Sequence, residues 1–210
     1  MGVEKQKKLS SSSITIVGMG ALGTLCAQLL CRAGVGKIKI IDFDEVSLDN
    51  LQRQQIYTEE DIGLLKTEVS KKYLDKVNKQ VSISIVNEKI SSENLDVLKN
   101  DLILDCVDNL ETSYLISDYC KIQKLPLVFG SAIRLQGYVY NQINSKTIGE
   151  LFNNVKTFEK CKDVGVMNTI TSTISSIQSN EAIKILVGNN YEKKLMRFDL
   201  QNNELLKIKV

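Results

Sequence analysis

Apolar residues are distributed along the chain in two alternating patterns. Short continuous apolar runs predict buried strands, whereas longer segments with apolar residues at every third or fourth position predict amphipathic helices. Strands are predicted over residues 14–17, 37–42, 81–86, 102–107, 127–129 and 137–143, with a final hairpin over 194–200 and 204–210. Helices are predicted over residues 21–33, 64–77, 92–98, 110–123 and 167–187. This alternation predicts an α/β fold with a doubly wound, mostly parallel sheet and a C-terminal antiparallel extension.

The first strand leads into glycines at positions 18, 20 and 23, and these lead into the first long helix. Glycine lets the backbone turn tightly here, approach a phosphate closely and pack the helix against the strand. The next strand ends in Asp42, 19 residues after Gly23, where dinucleotide-binding folds place a carboxylate on the ribose. The pattern therefore predicts a Rossmann-like sheet that binds a nucleotide through Gly18, Gly20, Gly23 and Asp42. A tight turn without a ligand is the alternative.

Two polar residues follow the buried strand over residues 102–107 and are predicted to face the same crevice. Ligands of an open parallel sheet bind beyond the carboxyl ends of its strands, which is where Asp108 and Asn109 lie. A carboxylate at this point can hold Mg²⁺ on a phosphate, so Asp108 is a candidate metal ligand. Asn109 could instead be the N-cap of the helix that follows it.

The segment after Asp44 contains few apolar residues and lies where a ligand-binding loop is expected. It ends at the predicted helix over residues 64–77, for which Thr58 and Asp61 form a candidate cap. Lys66 lies in the first turn of this helix, where a cation is unfavourable unless an anion is close by. Lys66 is therefore a candidate phosphate ligand, with an ordinary surface lysine as the alternative.

Composition narrows the functional classes. The 210 residues can form one domain with a substantial core, and 27 Lys and Arg against 25 Asp and Glu give a net charge of +2, which does not favour nucleic acid as a partner. No apolar run approaches the roughly 20 residues of a membrane span, and no signal-peptide core precedes the first strand. We therefore expect a cytoplasmic protein without a membrane partner. Residues 1–13 are predicted to be a basic, Ser-rich flexible tail and residues 14–210 a single domain.

The chain has no histidine, so any acid–base or nucleophilic chemistry must use carboxylates, Lys, Arg or Cys. Its five cysteines form no Cys-x-x-Cys pair, which is typical of free thiols in a reducing compartment. Cys161 follows a polar segment over residues 144–160, predicted to be a functional loop, and lies between Lys160 and Lys162. Its lysine neighbours and a nearby helix N-terminus favour the thiolate, so Cys161 is a candidate nucleophile. An incidental loop cysteine is the alternative.

Seven motifs together resemble the MoeB/ThiF/HesA family of adenylyltransferases, which are relatives of the ubiquitin-activating enzymes. The motifs lie at residues 18–23, 33–36, 42–54, 61–66, 105–109, 130–134 and 165–167. The most specific part is Asn-Leu-Gln-Arg-Gln, ending at Gln54, followed by Ile-Gly-x-x-Lys, ending at Lys66. Dehydrogenases that have a glycine turn lack this combination. The resemblance extends over residues 14–188, which is most of the chain.

The resemblance implies ATP-dependent adenylation of the C-terminal glycine of a small ubiquitin-like sulfur-carrier protein ending in Gly-Gly, with release of pyrophosphate. ATP and Mg²⁺ are the implied cofactors. The implied nucleotide-binding residues include Ala21 at the phosphate turn, Asp42 on the ribose, Asn50, Arg53 and Lys66 on the phosphates, Asp108 on Mg²⁺, and, within the same motifs, Asp44, Gln54 and Asn109. The implied catalytic residues are Arg53, Lys66, Asp108 and, for a covalent step found in some members, Cys161. Joining a carboxylate to a triphosphate requires fixed positive charge and a metal, so the lack of histidine is no obstacle.

Three departures from the family pattern qualify these expectations. The absence of Cys-x-x-Cys pairs predicts no structural zinc. Residues 1–13 contain no arginine, although relatives carry one there that reaches across a dimer, so the charge would come from lysines or from another subunit. A homodimer or a heterodimer is therefore expected. The third departure is the C-terminal sulfurtransferase domain, which we expect to be lacking, so that sulfur would come from a separate protein.

Two other functional classes remain open. A half-active or non-catalytic subunit of a heterodimeric activating complex would fit the missing arginine, although such a subunit would be expected to lose Arg53, Lys66 or Asp108. An NAD-dependent oxidoreductase would fit the glycine turn, but the chain lacks a catalytic Tyr-x-x-x-Lys or a histidine.

Overall fold

The structure is a computed structural model that describes residues 2–153 and 165–210. Its helices are α1 Val3–Ser11, α2 Ala21–Ala33, α3 Lys66–Val77, α4 Leu110–Gln123, α5 Ile148–Leu151 and α6 Asn168–Val187. Its strands are β1 Ser13–Val17, β2 Lys37–Ile41, β3 Ser82–Val86, β4 Leu102–Asp105, β5 Leu127–Ile133, β6 Gln136–Gln142, β7 Leu195–Asp199 and β8 Glu204–Ile208. Short 3₁₀ turns lie at Leu48–Asn50, Glu59–Asp61 and Leu95–Leu98.

The described strands form one sheet in the order β3-β2-β1-β4-β5-β6-β7-β8. The first five strands in this order are parallel, and β6, β7 and β8 add antiparallel pairs. The predicted α/β fold with an antiparallel C-terminal extension is thus confirmed. The chain order reverses between β1 and β4, and in such sheets the crevice beyond the carboxyl ends of these two strands is the usual ligand site.

Both faces of the parallel part of the sheet are buried because successive side chains point to opposite faces. Leu102 and Leu104 of β4 belong to the core shared with α2 and α6, whereas Ile103 between them belongs to the core shared with α4. Helix α6 lies close against α2, since small buried residues such as Ser175 and Ala182 face inward. The Ser175 hydroxyl donates to the Leu22 carbonyl at 3.1 Å, which ties the two helices together.

One buried amide lies beneath the crevice and connects the segments that surround it. The Gln178 side chain on α6 donates to the carbonyls of Asp105 (2.8 Å) and Val128 (3.0 Å), at the ends of neighbouring strands. Its oxygen accepts from the thiols of Cys26 on α2 and Cys106 after β4, each at 3.6 Å. A Cβ on Gly130 would lie 2.4 Å from this oxygen, so only glycine fits beside it. Gln178 therefore fixes the relative positions of α2, α6, β4 and β5.

Asp105 is fully buried directly above this amide. Its Oδ1 accepts from the Val107 N–H at 3.2 Å and its carboxyl also interacts with the Ser113 hydroxyl, but Oδ2 has no partner among the described residues. Burial raises the pKa of Asp105 to about 7, against the weaker lowering by these hydrogen bonds. The fold therefore keeps the Asp105 carboxyl group protonated and uncharged at pH values below about 7.

The flexible tail predicted for residues 1–13 is wrong, because Val3–Ser11 forms helix α1. Leu9 is fully buried in the core that includes α6, and its carbonyl accepts from the Gly36 N–H at 3.2 Å. Lysines and serines cover the exposed sides of α1, and a single buried leucine gives no recognisable period in the sequence. The helix is held by tertiary packing, which the local pattern does not report.

Other boundaries also differ from the predictions. Thr58 and Asp61 form a reciprocal capping box, but this box caps the N-terminus of the 3₁₀ turn Glu59–Asp61 and not that of α3. The predicted helix over residues 92–98 is a 3₁₀ turn at Leu95–Leu98. Strand β6, predicted to be edge-like, lies between β5 and β7. The predicted loop over residues 144–160 contains helix α5, and its residues 154–160 lie outside the described part of the chain. Across the described residues, no helix has both the length and the apolarity of a membrane span.

We predict that Leu9→Ala lowers the free energy of unfolding by about 3 kcal/mol, because it leaves a cavity where α1 contacts the core. Urea unfolding measures this change. Lys5→Ala, on the exposed side of the same helix, serves as the matched control and should change stability by less than about 0.5 kcal/mol. Equal stability of the two variants would mean that α1 is not docked.

A second prediction concerns the pH dependence of stability. The native pKa of Asp105 is raised to about 7, whereas an unfolded Asp titrates near about 3.9. Between these values the native state keeps a proton that the unfolded state has lost, so this group makes the free energy of unfolding fall as pH rises from 5 to 8. Asp105→Asn mimics the neutral acid and should remove on the order of 2 kcal/mol of that fall. Urea unfolding at both pH values tests this, and parallel pH profiles would contradict it.

Candidate nucleotide-binding site

The glycine turn is packed against backbone on two sides. Gly18 has φ +90°, and a Cβ there would lie 2.8 Å from the Cys106 carbonyl oxygen after β4. A Cβ on Gly23 would lie 1.8 Å from the Gly18 carbonyl oxygen, so the first turn of α2 rests directly on the turn. Gly20 precedes Ala21, the first residue of α2. The open N–H groups of a helix N-terminus and its dipole make this position suitable for a phosphate.

Asp42, at the end of β2, holds the turn from one side. Its Oδ2 accepts from the Met19 N–H at 2.5 Å, and its Oδ1 accepts from the Asp44 N–H at 2.8 Å. Burial raises the pKa of the Asp42 carboxyl, while these two N–H donors and the nearby Lys66 partly offset the shift. Each oxygen keeps a further lone pair, so Asp42 can position the turn and still accept a ribose hydroxyl.

Lys66 lies at the start of α3 and faces Asp44. Its side chain is only 7% exposed, and Nζ lies 3.0 Å from Asp44 Oδ2, whose side chain is half exposed. The Lys66 N–H also donates to the Asp44 carbonyl at 3.0 Å. The ammonium group is thus fixed beside the segment that follows Asp42, with a counter-ion that faces water.

Within the ligand-binding loop predicted after Asp44, the loop over residues 50–54 is compact and partly buried. The N–H groups of Arg53 and Gln54 both donate to the Asn50 carbonyl, at 3.1 and 3.0 Å. The Arg53 guanidinium donates to the Asp49 carbonyl at 2.8 Å, which holds its side chain back along the loop. Gln54 is 3% exposed, and its Nε2 lies 3.8 Å from the place of a Cβ on Gly20. The loop therefore brings an amide against the glycine turn, and Gln54 Oε1 is buried without a partner in the described residues.

Asp108 and Asn109 lie on the other side of the turn, two and three residues beyond the Cys106 backbone that touches Gly18. Both are exposed. Asn109 Oδ1 accepts from the Thr112 N–H at 2.9 Å, so Asn109 is the N-cap of α4, which is the alternative to a ligand-binding role for this residue. Asn109 Nδ2 lies 3.5 Å from Asp108 Oδ1. The Asp108 carboxylate is thus accessible beside the turn.

One predicted site residue, Cys161, has no described position. Cys161 falls in residues 154–164, outside the described part of the chain. Where the described chain resumes at Gly165, it lies against the turn between β5 and β6, and Arg134 and Val166 form a parallel bridge there. The Arg134 N–H donates to the Gly165 carbonyl at 3.0 Å, so two of the seven motifs are adjacent in space.

Sequence reasoning missed two residues that organise the site. Tyr57 is buried and its hydroxyl reaches the Met19 carbonyl at 3.0 Å, within the glycine turn. Gln178 connects the strands beneath the crevice, as described above. Neither belongs to a recognisable motif, and their partners lie 38 and 73 residues away, so no local signal could have marked them.

The arrangement suits an anionic, multiply phosphorylated ligand. It combines a helix N-terminus, a buried lysine, an arginine in an adjoining loop and an exposed carboxylate around one turn. Mg²⁺ is commonly held by one or two protein carboxylates together with substrate phosphates, so the single carboxylate of Asp108 fits that donor set. Among the described residues, no group of three or more His, Cys, Asp or Glu side chains could hold a metal alone.

Two curated relatives cover almost the whole chain. The protein named adenylyltransferase and sulfurtransferase MOCS3 of Culex quinquefasciatus is 38% identical over 219 aligned positions, covering 100% of this chain and 50% of that protein. The molybdopterin-synthase adenylyltransferase of Haemophilus influenzae is 34% identical over 215 positions, covering 98% of this chain and 88% of that protein. The chain therefore spans about half the length of the MOCS3 relatives.

A solved structure shares the fold. MccB of E. coli, in a crystal structure with ATP, has a TM-score of 0.87 and 20% identity, covering 99% of this chain and 66% of that chain. The ThiF family profile matches residues 1–210. The resemblance first indicated by the seven motifs is thus confirmed, and the chain belongs to the ThiF family.

Proposed function

We propose that this protein is an adenylyltransferase that uses ATP to activate the C-terminal glycine carboxylate of a small sulfur-carrier protein with the ubiquitin fold. One arrangement supports the proposal: Gln54 lies against Gly20, the backbone of Cys106, two residues before Asp108, lies against Gly18, and the Lys66 ammonium is paired with Asp44, two residues after Asp42. The names of the two curated relatives, both adenylyltransferases, support it.

The reaction joins two anions. A carboxylate oxygen of the carrier forms a bond to the α-phosphorus of ATP, and the bond from that phosphorus to the bridging oxygen breaks, so pyrophosphate leaves with the electron pair. The attacking carboxylate is already ionised at neutral pH, hence no general base is needed. The main requirement is preorganised positive charge around the phosphates.

Each residue of the proposed site has a separate role in this reaction. Asp42 accepts from the ribose hydroxyls while it holds Met19. The N-terminus of α2, at Gly20 and Ala21, receives the phosphates, and Asn50, Gln54 and Asn109 supply neutral amides around it. Lys66 and Arg53 exchange their present oxygen partners, Asp44 and the Asp49 carbonyl, for phosphate oxygens. Asp108 would hold Mg²⁺, which when bound neutralises charge on the phosphates.

The partner is proposed to be a carrier ending in Gly-Gly, and the protein to act as a homodimer or a heterodimer. The second subunit would supply the positive charge that residues 1–13 provide only as lysine. A half-active subunit of a heterodimer remains the alternative, but Arg53, Lys66 and Asp108 are all retained. The described cysteines are free and buried, which suits the reducing cytoplasm. We expect no structural zinc, because Cys-x-x-Cys pairs are absent.

We predict that Arg53→Ala and Asp108→Ala each reduce carrier-dependent ATP–pyrophosphate exchange by about a hundredfold or more, as removal of preorganised transition-state charge does elsewhere. The carrier is first isolated by capture of a small Gly-Gly partner. Arg32→Ala and Asp118→Ala remove the same side chains at exposed positions of α2 and α4, and should retain wild-type exchange. Wild-type exchange in the Arg53 or Asp108 variant would refute the proposed site.

A further prediction distinguishes adenylation from a later covalent step at Cys161. If Cys161 attacks the acyl-adenylate, its thiolate displaces AMP and forms a thioester, so Cys161→Ser should retain ATP–pyrophosphate exchange. The same variant should lose any carrier adduct that a thiol reagent reverses. Iodoacetamide at neutral pH should label Cys161 before the buried Cys26 and Cys31. An adduct that persists in the variant would show that Cys161 is only a loop cysteine, and the absence of any adduct with the carrier would restrict the enzyme to adenylation.

A further inference from the structure

Tyr57 connects the glycine turn to helix α3 through one hydroxyl group. It is 5% exposed, and its oxygen lies 3.0 Å from the Met19 carbonyl oxygen in the glycine turn. The same oxygen lies 3.0 Å from the Ser70 hydroxyl and 3.4 Å from the Lys66 carbonyl, both on α3. Tyr57 itself follows the loop over residues 50–54. One phenol thus contacts the turn and the helix that carries the buried lysine.

Hydrogen-bond accounting assigns the single phenol proton. The Met19 and Lys66 carbonyls can only accept, and the Met19 carbonyl is the nearer of the two. The Ser70 hydroxyl can donate to the phenol oxygen, which leaves the phenol proton for Met19. Burial raises the pKa of Tyr57 far above its usual range, so it remains a donor throughout the pH range of any assay.

Both peptide groups of Met19 are therefore held in place. Its N–H donates to Asp42 and its carbonyl accepts from Tyr57. In a trans peptide the C=O and N–H bonds point in opposite directions, so a carbonyl fixed toward Tyr57 directs the Gly20 N–H away from it. Met19 is fully buried and Gly20 is partly exposed, which places this N–H on the more open side of the turn.

We propose that Tyr57 is a positioning residue for the phosphates of the nucleotide. It fixes the Met19–Gly20 peptide so that the Gly20 N–H can donate to a phosphate oxygen, and it links that turn to the start of α3. This role rests on the proposed nucleotide-binding function. It acts on the phosphate chain alone, because the Tyr57 contacts lie at the turn and at α3, while the ribose is assigned to Asp42.

The test compares Tyr57→Phe with wild-type protein, using ATP and adenosine as separate probes in isothermal titration. The dissociation constant for ATP should rise about tenfold, since a buried carbonyl loses its donor and the peptide is released. The constant for adenosine, which has no phosphate, should change less than about twofold. In carrier-dependent pyrophosphate exchange, KM for ATP should rise about tenfold while kcat at saturating ATP stays within about threefold.

Tyr73→Phe provides the matched control. Tyr73 lies on α3, the helix that Tyr57 contacts, and its hydroxyl accepts from Gln28 on α2, so the variant removes a hydroxyl that is bonded at this helix without touching the turn. It should bind ATP as wild-type protein does, although its thermal midpoint can fall. Equal weakening of ATP and adenosine binding in Tyr57→Phe would show a merely structural role and overturn the proposal, as would unchanged ATP binding. If the wild-type protein binds ATP but catalyses no pyrophosphate exchange, the proposed adenylation is refuted. The comparison of ATP and adenosine binding still decides whether Tyr57 positions the phosphates.

Discussion

The close approach of Gly23 to Gly18 is the constraint on which the site depends. A side chain at Gly23 would begin 1.8 Å from the Gly18 carbonyl oxygen, and one at Gly18 would begin 2.8 Å from the Cys106 carbonyl oxygen. The end of β1, the start of α2 and the end of β4 therefore meet through backbone alone. This contact lets Ala21 begin a helix whose N–H groups face the crevice at the point where the strand order reverses.

A turn that packs without side chains must be held by hydrogen bonds from neighbouring segments. Asp42 holds Met19 from the end of β2, Tyr57 holds it from the side of α3, and Gln178 fixes α2 against β4 and β5 from below. These three side chains are buried, so each bond forms in an environment where an unsatisfied partner would be costly. The shape of the candidate site is thus set by neutral and acidic groups, while the positive charge proposed for it comes from Lys66 and Arg53 on separate elements.

The parts of this architecture that were predictable from sequence are those with a local pattern. The glycine spacing, the apolar period of α2 and the segment Leu110–Gln123 with Asn109 before it each follow from residues within one or two turns of one another. Helix α1 was missed because only Leu9 is buried, and the Thr58 capping signal was assigned to α3 because a 3₁₀ turn has the same cap chemistry. The alternation in β6 predicts an edge strand because it does not report that β7, more than 50 residues later, pairs with β6. Tyr57 and Gln178 act through partners distant in sequence, where no periodicity exists.

The pair formed by Lys66 and Asp44 explains how a buried cation can be kept ready for an anionic ligand. An ammonium group with 7% of its side chain exposed would be costly without a counter-ion, and Asp44 supplies one while remaining half exposed itself. The folded chain has therefore already desolvated Lys66, which is one part of the cost of forming a buried ion pair. In the proposed function a phosphate would replace Asp44, so that the carboxylate would return to water and Lys66 would stay neutralised. Such an exchange would keep an anion beside Lys66 throughout, so the proposed site would bind anions without an unpaired charge in the core.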